Sequence, residues 1–147
     1  MLVLYSLPQD VKANAAAAPL SGEQLYKFNC MACHMENGQG QPGLFPPLAG
    51  TDWVAGKKPD RLIRIILHGM VGPLKINGQP FFTTAPIMPP QASLSDDQIA
   101  SILTYIRSAW KGSAAAVSAD QVASIRHAEA SRATPWTEDE LHKIPVQ

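Results

Sequence analysis

The sequence of 147 residues has little charge and no long hydrophobic run, and both shortages exclude classes of protein. Only 16% of the residues are charged, and 12 basic side chains balance 12 acidic ones. This balance argues against nucleic-acid binding, which depends on neutralising phosphates with lysine and arginine, and against recruitment to a membrane by a polybasic patch. Because Arg61, Arg64 and His68 interrupt the longest aliphatic segment, we expect no membrane span in this chain.

Alternation typical of strands is also lacking, whereas helix start signals recur. Serine followed three residues later by glutamine, the capping-box pattern, occurs three times, and a proline suited to a first helical turn stands ahead of an aliphatic segment. We therefore predict an all-α fold with long loops rich in proline and glycine at residues 36–58 and 69–94. The predicted helices start at Ser21, Pro59 (ending at Gly69), Ser95 (continuing through Trp110 to Gly112) and Ser118 (reaching about Arg132).

Composition divides the chain into three parts. Residues 1–20 form an N-terminal arm and linker; the apolar segment Met1 to Leu7 has no basic residue ahead of it, so no secretory signal is predicted. Residues 21–112 form the domain, and residues 113–147 form a C-terminal extension packed on its surface. The helix from Ser118 has few apolar residues and should be peripheral, while Trp136 should anchor the extension through a buried ring. The extension either covers the domain or docks a partner; we favour covering, because one tryptophan makes a small interface.

The two cysteines of the chain are Cys30 and Cys33, directly followed by His34. Cys-x-x-Cys-His is the pattern of covalent c-type haem attachment, in which the cysteines form thioethers with the haem vinyl groups and the histidine binds the iron. A zinc site would need a second ligand pair that the other histidines do not provide. A thioredoxin-like redox pair would need a βαβ context, and an inert cysteine pair would leave His34 unexplained. We predict one covalent haem c and no disulfide framework.

The second axial ligand decides between an electron carrier and a catalyst. The candidates are Met88, Met70, His68 and His127. Met88 lies in Ala85-Pro86-Ile87-Met88-Pro89-Pro90, where the prolines stiffen an extended loop. Methionine usually fills gaps in a core, where its flexibility is useful. A stiff loop makes no use of that flexibility, but it suits an iron ligand that must keep its position. We therefore predict His34 and Met88 as the axial pair.

The motifs resemble those of a class I cytochrome c over residues 21–111. Gly22 and Tyr26 precede the cysteines as the glycine and aromatic residue of the first helix do in that family, and Ile102 and Tyr105 resemble the pair on its last helix. The resemblance implies that these two helices cross closely. It also implies that the carbonyl of Pro46, or of its neighbour Pro47, accepts a hydrogen bond from the iron-ligating histidine.

A narrower resemblance connects segments 43–54, 68–78, 87–89 and 122–141 to the cytochrome domains that accompany bacterial periplasmic dehydrogenases. It implies a one-electron carrier that takes electrons from a periplasmic dehydrogenase and passes them to a cytochrome or terminal oxidase, in the periplasm or at the periplasmic face of the inner membrane. A strongly acidic partner surface is not implied, because no lysine ring is evident.

Two other interpretations stay open at this point. The first is a small haem enzyme, such as a peroxidase or a sulfur-compound oxidoreductase, whose distal ligand can be displaced. The second is the terminal module of a multihaem subunit, suggested by a weak match of Leu4-Tyr5-Ser6-Leu7-Pro8 to the end of a preceding domain.

Other residues are expected around the haem. Trp53 and Arg61 or Arg64 could contact its propionates. A closed apolar pocket is predicted from Phe45, Leu48, Trp53, Leu62, Ile66 and Leu103.

Overall fold

A computed structural model describes residues 17–84 and 87–145 of the chain. Most of the predicted N-terminal arm, residues 1–16, and the two residues Ala85 and Pro86 of the predicted stiff loop lie outside this range. The described part contains seven helices: α1 (Gly22–Asn29), α2 (Met31–His34), α3 (Asp52–Ala55), α4 (Asp60–His68), α5 (Asp96–Ser108), α6 (Ala119–Ala128) and α7 (Glu138–Leu141). It also contains four short strands: β1 (Met70–Val71), β2 (Leu74–Ile76), β3 (Gln79–Phe81) and β4 (Ile87–Met88).

The helix starts predicted at Ser21, Ser95 and Ser118 are confirmed by their capping geometry, and α4 begins directly after Pro59 without a side-chain cap. At α1, the Ser21 hydroxyl accepts a hydrogen bond from the Gln24 backbone N–H (3.2 Å), and the Gln24 side chain accepts one from the Ser21 N–H (2.9 Å). These bonds satisfy donors that the first helical turn leaves free. The same arrangement starts α5, α6 and α7, at Ser95, Ser118 and Thr137.

The end of α5 differs from the prediction. The helix ends at Ser108 instead of continuing through Trp110 to Gly112. Trp110 and Lys111 adopt positive φ angles of 50° and 69°, a left-handed conformation that no helix continues through. The Trp110 ring folds back beside Tyr26 and Tyr105, with ring centroids 5.4 and 5.8 Å apart.

The crossing of α1 and α5 forms the centre of the core. A Cβ atom on Gly22 would collide with the carbonyl oxygen of Ser101, so only glycine permits this approach. Tyr26 on α1 and Ile102 on α5 are completely buried or nearly so. The close crossing implied by the resemblance is therefore present, and aliphatic side chains of α4 complete the core beneath it.

Residues 69–94, predicted as loop, include two small antiparallel pairs. Strand β1 pairs with β4, with Met70 opposite Met88, and β2 pairs with β3. On its other side, Met70 forms a parallel bridge with Trp136 of the extension. Strands of two or three residues are too short to show an alternating pattern in the sequence, so the prediction of an all-α fold missed them.

Helix α6 of the extension has mostly exposed residues, and its end differs from the prediction. It ends at Ala128 instead of near Arg132, and its two buried residues, Val122 and Ile125, pack into the main core. Two apolar residues are enough because charged side chains hold the helix at its edges. Arg126 Nε lies 2.7 Å from Asp96 Oδ1 on α5, and Glu129, directly after α6, accepts a 2.7 Å bond from Arg64 on α4.

Candidate functional site

The cysteines and the histidine share one turn of chain. Cys30 ends α1 and starts α2, and the His34 backbone N–H donates to the Cys30 carbonyl (2.9 Å). The His34 side chain is buried, and its Nδ1 lies 2.9 Å from the carbonyl oxygen of Pro46. Because a carbonyl can only accept, Nδ1 carries the proton and Nε2 keeps its lone pair. Burial lowers the pKa of His34, although the Pro46 hydrogen bond opposes this, so the ring is neutral at pH 7.

Two adjoining apolar cavities meet at His34. They enclose about 680 and 600 Å³, including space open to solvent. Cys30 lines the first and Cys33 the second, while five residues line both: His34, Pro46, Met70, Leu74 and Met88. One ligand that fills both cavities would therefore meet a cysteine on each side of His34.

The predicted apolar pocket is found in these walls. Phe45 lines the second cavity, and the other five predicted residues line the first: Leu48, Trp53, Leu62, Ile66 and Leu103. Within the described ranges, the lining residues include no aspartate, glutamate, lysine or arginine. Such walls suit a large apolar group and offer no acid or base beyond His34 and the cysteines.

Both candidate methionines reach the cavities, and the two candidate histidines do not. Met88 and Met70 face each other across the β1–β4 pair, and both line both cavities. His127 is exposed on α6, and His68 is half-buried at the end of α4; neither lines the two cavities. Of the four candidates, the two methionines therefore line the same cavities as His34, and the two histidines do not.

The residues present fit a covalently attached haem. A neutral imidazole nitrogen and a thioether sulfur are a known axial pair for haem iron. Desolvation, and secondarily the nearby Cys33, raises the pKa of Cys30 to about 11, so its surroundings favour an uncharged sulfur, as in a thioether. In the described part of the chain, no three histidine, cysteine or acidic residues cluster as metal ligands would.

Of the other residues predicted to contact the haem, Trp53 lines a cavity, whereas Arg61 and Arg64 do not. Trp53 lines the first cavity, and its indole N–H donates to the Lys75 carbonyl (2.7 Å). Arg64 lines neither cavity, because its guanidinium binds Glu129 and the Asp60 carbonyl. Arg61 likewise binds backbone carbonyls near the C-terminus. These two arginines connect α4 to other segments, and the structure gives no support for their predicted role at the haem.

Sequence reasoning missed two features that shape the site. Gly69 has a φ of +77°, and a Cβ there would collide with the Met88 carbonyl oxygen; only its place as a helix stop was read from the sequence. Arg107 is almost fully buried, and it donates to carbonyls of Val54, Gly56 and Lys57 at 2.8–3.2 Å. It thereby fixes the segment after Trp53, and nothing in the sequence distinguished it from a surface arginine.

Comparison with known protein families gives one match that covers most of the described part. Residues 20–110 match the family described as Cytochrome c. The chain belongs to the cytochrome c family. This membership confirms the class I cytochrome c fold predicted from the motifs, and it implies a covalently bound haem c at Cys30 and Cys33. It also places this cytochrome domain among electron-transfer components and not among enzymes, as expected.

Two kinds of relatives are similar to this cytochrome. Cytochrome c-552 of Thermus thermophilus is 38% identical over 98 residues, which cover 65% of this chain and 64% of that protein. The cytochrome c subunit of a quinone alcohol dehydrogenase from Komagataeibacter europaeus is 36% identical over 119 residues, covering 80% of this chain and 25% of the subunit. The fructose dehydrogenase cytochrome subunit of Gluconobacter japonicus is 35% identical over 109 residues, which cover 71% of this chain and 22% of that subunit.

The chain therefore spans under two thirds of the Thermus protein and about a quarter of the dehydrogenase subunits. The resemblance to dehydrogenase cytochrome subunits is confirmed. Among the described helices, none combines the length and the apolar character needed to cross a bilayer.

Proposed function

We propose that this cytochrome is a one-electron carrier with a single haem c whose axial ligands are His34 and Met88. The observation that carries the proposal is the arrangement around His34: its Nδ1 is held by Pro46, and methionines line the same cavities. The donor is a dehydrogenase of the kind whose cytochrome subunits it resembles, and the acceptor is a cytochrome or terminal oxidase. We also propose that it works in the bacterial periplasm or at the periplasmic face of the inner membrane, and the motif for covalent haem attachment supports this location.

The chain's own residues keep the site fixed between oxidation states. When bound, the haem supplies one-electron chemistry at its iron. The Pro46 carbonyl holds the His34 ring in one tautomer and orientation. Apolar walls exclude water and disfavour added positive charge, so they raise the reduction potential, and a thioether ligand acts in the same direction. With no acid or base among the described cavity residues beyond the motif itself, nothing there would promote peroxide chemistry.

The stoichiometry of the haem can be tested first. Both cysteines belong to one Cys-x-x-Cys-His motif, so the mature protein should hold one covalent haem and no free thiol. Acid-acetone extraction should leave the colour with the polypeptide, and thiol titration of the unfolded protein should read near zero. Haem that extracts freely, or two reactive thiols per chain, would refute covalent attachment.

Two chain segments beside the second cavity have apolar side chains and contain no charged residue. Segments 37–51 and 76–95 contain no aspartate, glutamate, lysine or arginine. They lie side by side, because the Thr84 N–H donates to the Gly43 carbonyl (3.0 Å). Leu44 and Ile87 are 40% and 56% exposed. A redox partner that meets this surface would gain little from electrostatic attraction.

We therefore expect electron exchange at this surface to depend weakly on salt. Two small reagents of opposite charge serve as probes: ferricyanide oxidising the ferrous protein, and hexaammineruthenium(II) reducing the ferric protein. Each second-order rate constant should change less than about twofold between roughly 0.01 and 0.15 M ionic strength, where screening of exposed charges becomes strong. Steep changes of opposite sign for the two reagents would reveal a charged haem edge and contradict the expectation.

A further inference from the structure

We propose that Trp136 is a positioning residue for the iron ligand Met88, through which the C-terminal extension sets how readily this methionine leaves the iron. The inference rests on the proposed function, because it takes Met88 as the ligand. The evidence is a row of three residues, called here the methionine row: Met88, Met70 and Trp136. Met70 is paired directly with Met88 on one side and with Trp136 on the other.

The backbone of Trp136 is bound to both ends of β1. Its N–H donates to the Gly69 carbonyl (2.9 Å), and its carbonyl accepts from the Val71 N–H (2.8 Å). Strand β1 thus lies between β4 and the extension. A strand of two residues has few hydrogen bonds of its own, and pairs this short are marginal without further support. Residue 136 supplies that support on the edge of β1 away from Met88.

The Trp136 ring fixes this pairing in place. Directly paired residues point to the same face of a sheet, and the whole methionine row packs in one cluster with Ile65 and Leu141. Trp136 is 6% exposed, and the Arg132 guanidinium lies 3.5 Å from its ring centroid. Arg132 is itself held by Glu140 at 2.9 Å. Arg132 of the extension therefore holds the ring, and the ring packs in the same cluster as Met70 and Met88.

The indole N–H of Trp136 is buried and has no hydrogen-bond partner among the described residues. In this proposal the ring acts by its shape and its stacking with Arg132. Phenylalanine keeps an aromatic face and should substitute well, whereas alanine should not. This difference separates ring packing from any effect of the polar atom.

The other side of the Met88 segment is fixed by the domain itself. Gly69, directly after α4, lies against the Met88 carbonyl, and the Gln91 N–H donates to the Ile66 carbonyl (2.7 Å). Loss of the Trp136 ring should therefore loosen the methionine without unfolding the domain. The iron would then be open for a larger fraction of the time.

Cyanide binding to the ferric holoprotein measures that fraction, because an external ligand needs the methionine to be displaced and its apparent affinity scales with the open population. Trp136→Ala should bind cyanide about tenfold more tightly than the unaltered protein. Trp136→Phe should stay within about twofold. The matched control is Trp110→Ala, which removes another large ring, packed on Tyr26 and Tyr105 and not part of the methionine row.

Melting temperatures of the same variants separate positioning from general stability. Trp110→Ala should lower the melting temperature while leaving cyanide affinity within about twofold. The proposal is overturned if cyanide affinity rises in both alanine variants in proportion to their loss of melting temperature. It is also overturned if Trp136→Ala leaves cyanide affinity unchanged, or if Trp136→Phe raises this affinity as much as Trp136→Ala does. If the unaltered protein already binds cyanide as tightly as Met88→Ala does, the ligand assignment fails instead, and with it the proposed function.

Discussion

Replacing Met88 by alanine should abolish the weak far-red methionine-to-iron band of the ferric protein and open the iron to cyanide. Met70→Leu should leave both properties almost unchanged. Both methionines line the cavities. The choice between them therefore depends on how the neighbouring residues restrain each one. Pro89 and Pro90 follow Met88 and restrict its backbone. Met70 lies between Met88 and Trp136, where a methionine serves as packing and leucine of similar volume should replace it.

The reduction potential provides a second measure of the same substitution. Loss of a thioether ligand removes a group that favours ferrous iron, so Met88→Ala should lower the potential, while Met70→Leu should leave it nearly constant. The reverse pattern, with the band lost in Met70→Leu and kept in Met88→Ala, would transfer the ligand role to Met70. Both variants keep the covalent haem motif, so both can be compared as holoproteins.

Gly69→Ala should be among the most damaging single changes in the domain. Gly69 has a φ of +77°, and an added Cβ would collide with the carbonyl of Met88. With a ψ of 177° as well, the backbone conformation of Gly69 is essentially restricted to glycine and alone costs an alanine about 1–3 kcal/mol. Because the collision is with backbone, relief requires α4 and the Met88 segment to separate. We expect a loss of unfolding free energy above roughly 4 kcal/mol, together with a weakened far-red band.

Gly50→Ala is the matched control for that change. Gly50 has a similar φ of +70°, and nothing lies within 4 Å of an added Cβ. Gly50→Ala should therefore lose only the conformational part of the unfolding free energy, about 1–2 kcal/mol, and the variant should keep the far-red band. Denaturant unfolding monitored at the haem measures both losses. Equal losses in the two variants would show that the contact between Gly69 and Met88 does not restrain the ligand segment.

The haem motif and the helix starts could be predicted because their signals are local. A capping box involves residues three positions apart, as at Ser95 and Gln98, and Cys-x-x-Cys-His lies within a single turn. The structure shows each of these arrangements where the sequence placed it. The apolar pocket could be anticipated as well, because large apolar residues that flank the motif have few other places to be buried.

Features that depend on distant pairing could not be predicted in this way. The bridge between Met70 and Trp136 joins residues 66 positions apart, and two-residue strands leave no periodic signal. Arg107 and Arg64 have the same residue type, yet the first is buried against backbone carbonyls and the second pairs with Glu129. Partners such as these are determined by tertiary packing. The ion pairs that connect the α6 region to α4 and α5 could not be predicted for the same reason.

The most direct test of the central claim is a spectroelectrochemical titration of the purified holoprotein. A one-electron carrier with His34 and Met88 as ligands should show a single Nernst transition with a slope of about 59 mV per tenfold change in the ratio of oxidised to reduced protein. Its spectrum should be low-spin at both ends and unchanged by low concentrations of azide. A high-spin ferric spectrum that shifts with azide, or a second transition, would contradict the carrier assignment.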